Sequence, residues 1–145
     1  MKFILIILFF LTPNLYAMDL EKFTSFKCKF EGGIVTIYRK NGKADTQSSD
    51  EILEMIFHSI DLDKQKGRII IGDFDAQITA IKNINTILMV GYSKDGSTTS
   101  TSIFNSTISD NSFVSVHSRH TNSEEVSFAL GPMPSQYYGF CKGLN

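Results

Sequence analysis

The chain has 145 residues, with 14 Lys and Arg against 15 Asp and Glu, no tryptophan and two cysteines. No run of basic residues occurs. This excludes a nucleic-acid binder of the usual kind, which needs concentrated positive charge to displace counterions, and argues equally against an anionic membrane surface. The length suits one compact domain with a modest core.

The N-terminus reads "MKFILIILFFLTPNLYAMD". Lys2 supplies a positive start, Phe3 to Leu11 an unbroken apolar run, and Leu15-Tyr16-Ala17 a small-residue exit. This is the layout of a secretory signal peptide spanning residues 1–17, cleaved after Ala17. The run is too short for a membrane anchor, which needs roughly 20 apolar residues. The expectation is an exported protein, periplasmic or secreted, whose mature domain covers residues 18–145 without stable membrane insertion. Losing Lys2 leaves 13 basic residues against 15 acidic, a net charge of −2.

Beyond the leader the chain reads as short strands between turns. In "TSFKCKF", Phe26, Cys28 and Phe30 face one way and the lysines the other. "EGG" is expected to turn, "GIVTIYRK" to form a strand and "NGK" to turn again. Residues 44–50 are polar and read as a loop. "SSDEILEMIFHSIDLD" is ambiguous. Ser48 and Glu51 have capping-box spacing and Ile52, Ile56 and Ile60 repeat every four residues, as in a short helix near 49–57; Leu53, Met55 and Phe57 alternate, as in a strand. The preferred reading is a strand over 55–61, with a helical turn before it. "RIIIGDF", "AQITAI", "TILMVGY", "STTSTSIF", "FVSVHSRH", "EVSFAL" and "SQYYGFC" follow as further strands. The fold expectation is therefore all-β: a single antiparallel barrel-like meander or sandwich of about eight or nine strands.

Cys28 and Cys141 stand near the two ends of the mature chain. In an oxidising compartment they pair, which requires the first and last strands to lie within about 7 Å at their Cα atoms. Such a sheet is closed or nearly so.

Two of the three histidines fall in "SVHSRHTN". On a regular strand Ser115, His117 and Arg119 share one face, Ser118 and His120 the other. That separation disfavours a shared metal, which needs three or four converging ligands, and no cofactor is expected. Arg119 flanked by imidazoles suits recognition of a carboxylate or phosphate by a bidentate fork. In the tail, Gln136 and Tyr137 are the second recognition candidates, while Tyr138 or Phe140 is expected to fill the core. Asp73 and Asp75 in "GDFDA" read as a solvated turn, His58 as a partly buried structural residue, and Asn105 as a formal glycosylation sequon.

These residues point to a binding protein without catalysis. Its ligand-binding set is His117, Arg119, His120, Gln136 and Tyr137, and it recognises a protein partner or a small polar or anionic ligand. A small hydrolase or lyase using His117 or His120 is the rival, with Ser118 as nucleophile and a distant Asp73 or Asp75 as orienter. The plan of leader, β-rich domain and a cysteine near each end is similar to that of small periplasmic lysozyme inhibitors. The likeness covers architecture and no motif, so it carries over no residue; it implies inhibition of an extracellular or periplasmic enzyme.

Overall fold

A computed structural model describes residues 19–39, 41–94, 96–109, 111–121 and 133–144. The leader and the "EVSFAL" strand lie outside the described residues. Eight strands run in chain order: β1 (Ser25–Tyr38), β2 (Ala44–Asp61), β3 (Lys66–Ile71), β4 (Phe74–Asn83), β5 (Thr86–Tyr92), β6 (Thr98–Ser109), β7 (Ser112–Thr121) and β8 (Met133–Leu144). Each pairs antiparallel with the next, and β8 pairs back onto β1, so the meander closes into a barrel. Closure removes the sheet edges that would otherwise invite pairing with other chains.

Cys28 and Cys141 sit opposite each other in the β1–β8 register and form a disulfide, with Cα atoms 3.9 Å apart. The bridge links the first strand to the last directly, across 113 residues of sequence.

Alternation fills the lumen. Phe26, Cys28 and Phe30 from β1, Met55 and Phe57 from β2, Ile103 from β6 and Phe113 from β7 are all buried. At the end where β2, β4, β6 and β8 finish, a short 3₁₀ turn (Leu20–Lys22) plugs the barrel. Leu20 and Phe23 are buried there, and Phe23, Phe26 and Phe113 meet edge to face with ring centroids 5.8–6.2 Å apart. The Phe23 ring lies where a side chain at Gly143 would be, 2.6 Å from that Cβ position.

Three local expectations need correction. The helix near 49–57 and the loop over 44–50 are both strand: β2 pairs with β1 from Ala44 to Phe57. Burial of Leu53, Met55 and Phe57 on the lumen face outweighs the four-residue isoleucine spacing, which fits one face of a strand as well as a helix. Ser59 takes φ +52° and breaks the alternation, so Ile60 turns inward while Ile52 stays 60% exposed. The "EGG" stretch does not turn the chain either. Gly32, at φ +78°, forms a bulge that bends β1 and lets it continue.

Candidate functional site

The opposite end of the lumen, where β1, β3, β5 and β7 finish, is polar on one side. Closure and register assemble it from strands distant in sequence. One layer across the wall runs Met89, Thr101, His117, Tyr137 and Gly33; the next runs Gly91, Thr99, Arg119, Ser135 and Val35. Their inward side chains form the mouth.

Tyr137 is fully buried and lies across Gly33, with its Cδ1 2.9 Å from where a Cβ at Gly33 would stand. A side chain there would also meet the Gln136 carbonyl oxygen at 2.2 Å, so only glycine allows this approach. Passing over β1 in this way, the Tyr137 hydroxyl reaches Glu51 on β2 and donates to its Oε2 at 2.6 Å. Arg119 donates from Nη2 to the same oxygen at 3.0 Å and to the Tyr137 hydroxyl at 2.8 Å. Its Nη1 approaches Glu51 Oε1 at 3.5 Å, and its guanidinium stands 5.3 Å over the Tyr137 ring. Arg119 Nε is buried and has no hydrogen-bond partner. The pair as a whole is open to the mouth, with the Arg119 and Glu51 side chains 33% and 42% exposed.

His117 lies one layer deeper and is 2% exposed. Its Nδ1 is 2.8 Å from Thr101 Oγ1, and its ring packs against Phe30 and Tyr137. Burial, helped by the neighbouring Arg119 charge and opposed by Glu51, lowers its pKa to about 4. It is therefore a neutral imidazole near neutral pH. Burial pushes the Glu51 carboxyl up, but hydrogen bonds from Tyr137 and Arg119, with the charge of Arg119, carry it below the ordinary carboxylate range.

The barrel wall divides the residues expected to act together. His117, Arg119 and Tyr137 project into the lumen. His120 and Gln136 project outward, where they line a shallow depression with Ile34, Thr36 and Ser118. Ser118 and His117 thus lie on opposite faces. Asp75 sits on the outer wall near His58, 3.0 Å from Arg68, while Asp73 occupies the β3–β4 turn. Ser118 shares the outer depression with His120, and neither Asp73 nor Asp75 lines it.

The expectation for the tail is reversed. Tyr137 fills the interior, whereas Tyr138 and Phe140 are 48% and 50% exposed. The signal was available: counting back from the inward Cys141 by twos reaches Gly139, Tyr137 and Ser135. Sequence reasoning missed Glu51 and Thr101 as parts of this cluster. Glu51 lies on the same alternating face as Leu53, Met55 and Phe57, and reading it as a helix cap concealed that.

Among the described residues no group of three or more His, Cys, Asp and Glu could hold a metal ion. Comparisons of the chain with protein-family models, with curated proteins and with solved structures found no match.

Proposed function

We propose that this protein is an exported binding protein whose barrel mouth holds a small anionic ligand through Arg119. The observation that carries the reading is the guanidinium itself. It is held by Glu51 and Tyr137 through Nη2, while Nη1 makes only a 3.5 Å contact and the side chain stays 33% exposed at the mouth. A guanidinium offers five donors in a fixed fork, and a carboxylate or phosphate oxygen is the natural acceptor for those left over. His117, hydrogen-bonded to Thr101, forms a polar floor below, so Arg119 is the cation that would hold the anion.

The disulfide supports an oxidising compartment, and among the described residues no helix is long and apolar enough to cross a membrane. The outer wall of β1–β4 carries exposed Lys27, Lys29, Glu54, Arg68 and Asp75, where a lipid-facing barrel carries an apolar band.

The test is an NMR titration of the domain with acetate and with inorganic phosphate. Shifts should centre on Arg119, Tyr137 and Thr99. Arg119→Gln should abolish them, and Glu51→Gln should strengthen binding several-fold by removing the competing carboxylate. Unchanged titrations in Arg119→Gln would dismiss the reading. A protein partner, by contrast, would use the outward His120 and Gln136, and its capture would respond to those residues and not to Arg119.

A further inference from the structure

We infer that the ligand of this mouth is an amphipathic monoanion, a short-chain alkyl or aryl carboxylate, whose apolar end enters a cleft beside Arg119. The inference rests on the anion-binding reading above. The lumen mouth has two unlike sides. Against the polar wall of β7, β8 and β2 stands a cleft of about 90 Å³ whose lining includes Ile69, Ile71, Phe74, Ile78, Tyr92 and Thr99. At its rim Ile71, Phe74 and Tyr92 are 39%, 60% and 70% exposed, large apolar side chains left in water at the entrance.

The register connects this cleft to the guanidinium. Thr99 lines the cleft and is the direct cross-strand neighbour of Arg119; Gly91 is the neighbour of Thr99 on its other side. A Cβ at Gly91 would already meet Thr99 Oγ1 at 3.1 Å and Ile78 Cγ2 at 3.4 Å, so a larger residue there would crowd the cleft. Thr99 therefore stands between the apolar cleft and the guanidinium, with one cross-strand step separating them. A ligand with a charged head and a greasy tail matches both ends at once. The volume is below the roughly 150 Å³ that encloses a benzene ring, so the tail is a short chain or one partly protruding ring.

The experiment compares acetate, hexanoate and hexan-1-ol by NMR titration of the full domain. Each methylene that reaches apolar surface contributes about fourfold when fully buried. Hexanoate should thus bind at least tenfold more tightly than acetate. Ala76 also lines the cleft, and Ala76→Leu, which fills it, should remove that advantage and leave acetate unchanged. Arg119→Gln should abolish binding of both anions. Equal affinity for acetate and hexanoate, with both still dependent on Arg119, would overturn the cleft's role and leave anion binding standing. Hexan-1-ol binding as tightly as hexanoate, or no binding of either anion, would overturn both.

Discussion

The two ends of the lumen solve the same packing problem with opposite chemistry. At the plugged end Phe23, Phe26 and Phe113 fill the space edge to face, and their contribution comes mainly from removing apolar surface from water, with the ring geometry adding to it. At the mouth Glu51, Arg119, Tyr137 and His117 occupy the equivalent inward positions, and their contacts must first offset desolvation. An apolar mouth of similar volume would stabilise the barrel at least as well. A polar cluster placed there despite that cost is what supports the proposed anion site at this end of the barrel.

Substitutions at the two ends should act differently on stability measured by urea unfolding. Phe113→Ala should have the largest effect, about 3–5 kcal/mol, because it opens a cavity among three rings. The same variant should leave the acetate titration at the mouth unchanged; altered anion binding would show that the two ends are not independent. Removing the bridge by Cys28→Ser with Cys141→Ser should cost about 2–5 kcal/mol, since the 113-residue separation leaves the unfolded chain far less restricted. A loss well below 1 kcal/mol would mean that strand pairing alone holds β1 to β8.

The pH profile separates the ends further. His117 has its pKa lowered from 6.5 to about 4, so the unfolded chain takes up the proton first. Its contribution is complete above pH 6.5 and is lost as pH falls towards 4, a decline of roughly 3 kcal/mol in all. The lowered Glu51 carboxyl adds a loss of the same sign at lower pH. His117→Gln should flatten the profile in the upper part of that window, whereas Phe113→Ala should shift the whole curve without changing its slope.

Smaller effects follow. Tyr137→Phe should cost about 1–2 kcal/mol by leaving Glu51 with one fewer donor, and should alter the acetate titration more than it alters stability. Arg68→Ala on the outer wall should change stability by less than about 1 kcal/mol, since its pair with Asp75 is half-exposed and screened. A larger loss there would show that the outer wall of β2–β4 also holds a polar cluster of consequence.

Much of this architecture is legible in the chain alone. Alternation in Phe26-Cys28-Phe30 and in Phe113-Ser115-His117 assigns inward faces, because a strand's side chains repeat every two residues whatever it pairs with. Two cysteines at opposite ends, once paired, bring β1 and β8 together, which points to a closed or nearly closed sheet. The same parity placed His117 and His120 on opposite faces. Only the tertiary structure decided which inward faces share a layer. That depends on register and on bulges at Gly32 and Ser59, each a single-residue shift that reverses parity beyond it. Glu51 joins Tyr137 and Arg119 because a bare glycine on β1 lets a tyrosine from the last strand pass over it. Local sequence preferences carry no information about such a contact between residues 86 positions apart.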